Sequence, residues 1–442
     1  FVRKTYLRRT HSWVLGLCTM LAFLLNLQLP RGVASNALDS SWAQVLAHSL
    51  RSHTQWGAQL SFTYGPLGFI TPYMGYVASI FWSYVLAQWI VATLFSILSW
   101  YALRSLPTYR LLFFAISLMT FGFWLGGDAA WLSAYVLSIV ALEQIVESGR
   151  KSVGLVVDVG LVAILPALLP LVKVSLLAPW LVWLLAGAAL CAMGKQRRLA
   201  WWVVVIALAL PLLGWFACGQ DLSHPGEFFR SSFQVVAGYQ DAMQLEAGTW
   251  IDVAGLLAVV SVTIIATHYV TRQQDAKSLL VAVSIIAVVA CAFKLGFTRA
   301  DWLHLPIFSA TGLIALSTFP LIARPQKRSL VRSGLWIKSI WLTCVALMVI
   351  PSILILPDDL ARRTLSGSLA REKVAAFIEF ALNPHRIVDL YKVESREFFQ
   401  VAELPLMREK IGRDPVDILS YEQGIAYANN LNLVFRPVFQ SY

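Results

Sequence analysis

An acidic residue at the head of an amphipathic stretch is the first place where this chain offers chemistry. Asp39 opens the polar interruption from Asn36 to Tyr76 in an otherwise apolar sequence. After it Trp42, Val45, Leu46, Ser49 and Leu50 recur at helical spacing, with Gln44, His48 and Arg51 on the opposite face. That is the pattern of a helix lying on a membrane surface rather than crossing it. A carboxylate so placed can act as a general base toward a hydroxyl. It can equally do no more than cap the helix, because Asp accepts hydrogen bonds from the first free backbone amides. The stretch closes on Phe62-Thr63-Tyr64-Gly65-Pro66-Leu67-Gly68-Phe69. Its glycines permit close backbone approach and Pro66 fixes a turn. Tyr64 and Phe69 offer faces for stacking on a sugar or a prenyl chain, or simply an aromatic belt at the interface.

The cations point toward phosphate. Lys173 sits in a tight turn between two apolar arms with no acidic neighbour in sequence. It could hold a lipid-linked phosphate or only snorkel to the interface. Lys294, Arg299, Asp301 and His304 form a second cluster. Arg299 and Asp301 are too close to face each other on a helix, so in a loop Arg299 and His304 would serve a phosphate and Asp301 a sugar hydroxyl or a metal. The plainer reading has Asp301 capping the next helix and the cations meeting headgroups. Asp128, after Gly126-Gly127, is either a helix-start carboxylate or a second acid facing Asp39 that orients an acceptor or a divalent cation. The outer segment Gly219 to Thr249, read as a loop, adds Arg230 and Tyr239. Glu143 and Asp158 read as structural.

These residues are positioned by a membrane scaffold. Hydrophobic residues make up 58% of the 442 and charged residues 13%, against ~25% charged in typical soluble domains; mean hydropathy is +0.67. Eleven apolar stretches are candidate spans: 13–29, 78–103, 111–126, 129–146, 153–172, 174–193, 200–217, 250–270, 279–295, 304–323 and 335–356. The net charge of +11 does not indicate nucleic acid, because the basic residues fall in alternate loops. Arg3, Lys4, Arg8 and Arg9, then Arg104 and Arg110, Arg150 and Lys151, Lys195 with Arg197 and Arg198, Arg272 and Lys277, and Arg324 to Arg332 mark one side. That bias puts the N-terminus in the cytoplasm and the C-terminal segment outside. The first span reads as an anchor rather than a cleaved signal peptide. The five cysteines fall in or beside apolar spans and the seven histidines are scattered, so neither a disulfide framework nor a zinc site is indicated. No Walker loop, GxSxG or dinucleotide fingerprint occurs.

The expected fold is therefore an all-α polytopic membrane module over 1–356. Residues 357–442 follow as an extracytoplasmic α/β segment: a helix over Leu360–Leu382, a strand near Val416–Leu419, a helix over Tyr421–Leu431 and a strand at Leu433–Phe435. The sequence is expected to be part of a longer chain.

Taken together, an acidic residue heading a surface helix after the first span, many further spans and an external C-terminal segment resemble the GT-C superfamily. These are integral-membrane glycosyltransferases that use polyprenyl-phosphate sugars. The strings Phe62–Phe69, Gly238–Met243, Phe297–His304 and Arg436–Tyr442 resemble a bacterial branch near the arabinofuranosyltransferases that modify pilins or cell-envelope polymers. The chain departs from many relatives in carrying Asp39-Ser40 where they have two adjacent acids. The resemblance implies inverting transfer from a polyprenyl-phosphate sugar to a protein (pilin-like) or glycan acceptor on the outer face of the bacterial inner membrane. Asp39 would be the base, and Lys173, Arg230, Lys294, Arg299 and His304 would surround the phosphate. Tyr64, Asp128, Tyr239 and Asp301 would complete substrate binding. No metal ligand set is assigned, a divalent cation staying open as an alternative. A polysaccharide ligase or polymerase, centred on His224 and Arg230, and a lipid or solute transporter are the competing expectations.

Overall fold

The computed structural model describes residues 2–436 except 31, 33, 34, 36, 73, 149–152, 247, 320–332 and 435. The basic residues Arg150, Lys151 and Arg324 to Arg332, and all of the closing string after Arg436, lie outside the described residues. Each apolar stretch forms a helix: α1 (Val2–Asn26), α3 (Phe81–Leu103), α4 (Thr108–Phe121), α5 (Asp128–Glu147), α6 (Val153–Leu168), α7 (Leu177–Met193), α8 (Arg197–Ala217), α10 (Thr249–Gln273), α11 (Ala276–Thr298), α12 (Leu305–Thr318) and α13 (Ser333–Leu354). Among the described residues eight helices are long and apolar enough to cross a membrane, namely α3, α5, α6, α7, α8, α10, α11 and α13; the apolar part of α1 (Thr10–Asn26), α4 and α12 are shorter. The chain is an all-α polytopic membrane protein.

Burial sorts the helices into an inner pair and an outer ring. Every residue of α12 is buried, and so is α5 apart from its ends. In α12 the run Ser309-Ala310-Thr311-Gly312 keeps side chains small where α13 crosses, and Ser309 Oγ donates to Met348 O at 2.6 Å. The outer helices turn large apolar side chains outward, among them Trp201, Leu212 and Phe216 on α8 and Leu256 and Val260 on α10, as lipid contact requires.

The two ends of the bundle differ. At one end Tyr101 donates to Asp158, Tyr269 to Glu143 and Gln144 to Ala102 O, so Glu143 and Asp158 do hold neighbouring helices together. At the other end lie α2 (Leu38–Ser52), α9 (Pro225–Met243) and the C-terminal segment. The segment read as a loop from Gly219 to Thr249 is thus mostly a helix, which the amphipathic Phe228, Phe229 and Val236 bury against the bundle. Phe228 packs on Trp215 (5.6 Å between rings), and Ser232 Oγ donates to Phe62 O at 2.7 Å.

The C-terminal segment is mostly helical, with the expected strand–helix–strand order confined to its end. It is helical through α14 (Asp358–Leu365), α15 (Ser368–Leu382), α16 (Pro384–Val401) and α17 (Pro405–Ile411). Only then does strand–helix–strand order appear, in miniature: β1 (Pro415–Val416), α18 (Gly424–Ala428) and β2 (Asn432–Leu433), the two strands parallel. The single helix read over Leu360–Leu382 breaks at Gly367, whose φ of +68° favours glycine. The segment is strapped to the bundle. Lys373 Nζ donates to Leu25 O, Gly122 O (3.2 Å) and Leu125 O (2.6 Å), closing the carboxyl ends of α1 and α4. Tyr391 Oη donates to Pro30 O at 2.8 Å, and α18 lies on α2, with Gly424 N–H 3.4 Å from Ser41 Oγ.

Candidate active site

Asp39 is not the cap of α2. The N-cap position is Ala37, which makes no side-chain cap bond, and Asp39 lies in the first turn. There its charge favours the positive end of the helix, but its Oδ1 accepts from Trp42 Nε1 at 3.0 Å while the residue stays exposed. Trp42 then stacks on Tyr64 with ring centroids 4.8 Å apart and planes 22° apart. Tyr64 is 6% exposed, so the Phe62–Phe69 string is packing beneath the site rather than an aromatic belt.

The string is held by the tight turn that carries Lys173. Gly65 N–H donates to Val172 O (3.1 Å), Leu67 N–H to Leu171 O (3.0 Å) and Val174 N–H to Thr63 O (2.8 Å), a short antiparallel bridge. A Cβ on Gly65 would lie 2.5 Å from Leu171 O, which is why glycine occupies that position. The register brings Lys173 Nζ to 5.1 Å from the Tyr64 ring centre, a cation–π approach.

Lys173 is not a lone cation awaiting lipid phosphate. Its Nζ forms an ion pair with Asp128 Oδ2 at 2.7 Å, with side chains 17% and 10% exposed. Asp128 in turn is not a cap; it is the first residue of α5, after the Gly126-Gly127 turn. Gly126 has φ +138°, and a Cβ there would fall 1.8 Å from Gln28 Nε2, the group that donates to Leu125 O at 2.8 Å. Asp128 Oδ1 is buried and has no hydrogen-bond partner, and neither has Trp124 Nε1. Both residues line a small cavity of about 30 Å³, shared with Tyr64, Pro72, Leu303 and Ile307. The first turns of the inner helices α5 and α12 thus both adjoin it. Burial pushes the Tyr64 phenol well up, the charges of Asp128 and then Asp39 add to this, and a bond with Thr71 opposes it. Tyr64 therefore feels both carboxylates.

The second cluster closes on itself. Arg299 Nε donates to Asp301 Oδ2 at 2.8 Å, so the two residues pair in the loop instead of serving separate partners. Asp301 Oδ1 accepts from Leu303 N–H (2.9 Å), His304 N–H (3.0 Å) and His304 Nδ1 (2.7 Å). Asp301 thus closes the turn that leads into α12 rather than capping α12 itself, whose N-cap is His304 with no side-chain cap bond. Burial raises the Asp301 carboxyl, but the His304 bonds and charge and the Arg299 bond outweigh it and bring it down to about 2. The loop still belongs to the site's wall, through Leu303.

Arg230 is exposed on α9 and lines a different, open cavity of about 470 Å³ with Gly57, His224 and Glu227; His224 Nδ1 is 2.8 Å from Glu227 Oε2. Lys294 is exposed on α11 and lines neither cavity. Tyr239, half-buried on α9, adds its field to that at Tyr64. The structure therefore gathers Asp39, Tyr64, Asp128 and Lys173, sets Tyr239, Arg299, Asp301 and His304 beside them, and leaves Arg230 and Lys294 apart. It adds Trp42 and Trp124, which sequence reasoning passed over. Trp42 carried a readable signal, an indole N–H three residues after Asp39 on the same helix face.

Among the described residues no three His, Cys, Asp or Glu side chains come together. Asp128 is engaged by Lys173 and Asp301 by Arg299 and His304, so these donors do not fit a resident divalent cation. Compared with protein-family models, curated proteins and solved structures, the chain matches none.

Proposed function

We propose that the chain is an inverting glycosyltransferase that moves a sugar, arabinofuranose by the resemblance noted above, from a polyprenyl-phosphate donor to a protein or glycan acceptor. In this reading it crosses the bacterial inner membrane eleven times with its N-terminus in the cytoplasm. The site and the segment after Pro357 then face outward. One observation carries the proposal: a continuous contact path at one end of the bundle. It runs from the exposed Asp39 carboxylate through Trp42 and Tyr64 to the buried Lys173–Asp128 pair at the start of an innermost helix.

The roles divide by exposure. Asp39 takes the proton of the acceptor hydroxyl as its oxygen attacks the anomeric carbon. The polyprenyl phosphate leaves from the opposite face, keeping the electron pair of the broken bond. The Trp42 indole fixes the carboxylate so that its second oxygen meets the acceptor. Phosphate is a fair leaving group and needs mainly positive surroundings. Lys173 supplies them by turning from Asp128 to the donor phosphate beside the N-terminus of α5.

The cavity around His224, Glu227 and Arg230 favours a second reading, a polysaccharide ligase or polymerase. One assay separates the two. Membranes holding the protein are given radiolabelled polyprenyl-phosphate sugars or, in parallel, a radiolabelled lipid-linked oligosaccharide, and the product linkage is analysed. Label transferred with inverted configuration supports the proposal; transfer only from lipid-linked oligosaccharide supports the second reading, and no transfer from either removes both.

A further inference from the structure

A further cavity lies away from Asp39. It is an open groove of about 810 Å³ between α2, the residues that follow it, and the C-terminal α18–β2 unit, lined by His48, Ser49, Arg51, Gln59, Tyr427 and Asn432 among others. Its size falls within the ~300–1,000 Å³ of small-ligand sites. We propose that this groove binds a saccharide and seats the acceptor glycan of the reaction; its role rests on the glycosyltransferase reading, the binding itself does not.

Three features of the lining carry the inference. Ser49 Oγ and Tyr427 Oη are buried and have no hydrogen-bond partner, and Ser49 is 0% exposed, so water does not serve it. Unpartnered buried hydroxyls are costly and uncommon, and a ligand hydroxyl, which donates and accepts, satisfies either. Next, the groove presents amides and hydroxyls with little charge. Ser52, Thr54, Asn430 and Asn432 line it together with Gln59, whose Oε1 accepts from Gln55 N–H at 2.8 Å, leaving the NH₂ to donate. Among the described residues no carboxylate or lysine lines it. Burial, with Arg51 beside it, pushes His48 down to about 4, so the imidazole is neutral near pH 7 and Arg51 is the groove's permanent cation. Finally, Tyr427 is fixed. Its ring lies flat on His48, centroids 3.8 Å and planes 4° apart, so the orphan hydroxyl is held rigidly between α2 and α18.

This chemistry selects among ligands. A phosphate group would call for more than one cation. An extended peptide would call for a free strand edge of some length, and β2 has two residues, already paired with β1. A saccharide needs what is present: many neutral donors and acceptors, and a pocket that begins on the same helix as Asp39.

The experiment uses the full chain in detergent. Tetrasaccharides of arabinofuranose, mannose and N-acetylglucosamine are titrated and followed by saturation-transfer NMR. Tyr427→Phe keeps the stack on His48 and removes only the hydroxyl. We expect at least one tetrasaccharide to bind, Tyr427→Phe to weaken it about tenfold, and the melting temperature to stay level or rise. Gln59→Ala with Asn432→Ala should weaken it further. In transfer assays the acceptor KM should rise while the donor KM holds. Binding that these variants leave unchanged, or no binding of any of the three sugars, overturns the proposal. Binding that the variants weaken, in a protein that transfers no sugar, keeps the groove and discards the reaction.

Discussion

Two charged clusters lie at the same end of this bundle, and they are built in opposite ways. Arg299, Asp301 and His304 are neighbours in sequence and satisfy one another: Asp301 alone accepts from the Arg299 and His304 side chains and from two backbone amides. Asp128 and Lys173 are 45 residues apart and meet only because two turns are locked in place, one by Gly126 against Gln28 and one by Gly65 against Leu171. The pair leaves Asp128 Oδ1 without a partner beside a small cavity. Local charge clusters are the ordinary means of starting a helix. A long-range pair that keeps a buried atom unsatisfied costs stability, and such a cost is borne where a site needs it.

The comparison is broken most forcefully at Lys173. Lys173→Met strands a buried carboxylate and should destabilise the protein by about 3–5 kcal/mol, seen as a large drop in melting temperature. Lys173→Met combined with Asp128→Leu should recover most of that stability and none of the transfer. Recovery of activity in the double variant would make the pair structural.

A smaller effect is expected at Asp301. Its folded carboxyl, at about 2, lies below the ordinary 3.8. Its contribution is therefore fully present above pH 4 and fades as pH falls toward 2. The wild type should lose about 2 kcal/mol across that window through this group, and Asp301→Asn should be flatter there. Identical acid profiles would show that Asp301 is not held as described. Smaller still are Arg230→Ala and Lys294→Ala. Both side chains are exposed, so stability should change within about 0.5 kcal/mol and transfer from the polyprenyl donor should stay near wild type. A tenfold rise in donor KM in either would bring that cation into the site.

What the sequence makes legible follows from range. The apolar stretches and the surface helix α2 are local patterns of composition and period, and each appears where the sequence puts it. The importance of Asn36–Tyr76 is legible too, because polar residues in so apolar a chain need a reason. Partners are not legible. Nothing local to Lys173 names Asp128, and nothing near Tyr64 says that Trp42 will cover it. The C-terminal segment is legible in part: the short apolar runs near Val416 and Leu433 do mark the two strands, the helix over Leu360–Leu382 is split at Gly367, and α16 and α17 are not anticipated. The orphan hydroxyls of Ser49 and Tyr427 exist only once α18 is docked on α2.

The central claim is that Asp39 acts as a base and does more than favour the positive end of α2. Asn keeps an oxygen to accept from Trp42 Nε1 but cannot take a proton near neutral pH. The measurement is single-turnover transfer from a radiolabelled polyprenyl-phosphate sugar by Asp39→Asn, with donor binding and melting temperature recorded on the same preparation. The account predicts normal folding, donor binding within a few-fold of wild type, and transfer slowed by ~10²-fold or more. Transfer near the wild-type rate in a folded, donor-binding Asp39→Asn protein would contradict it.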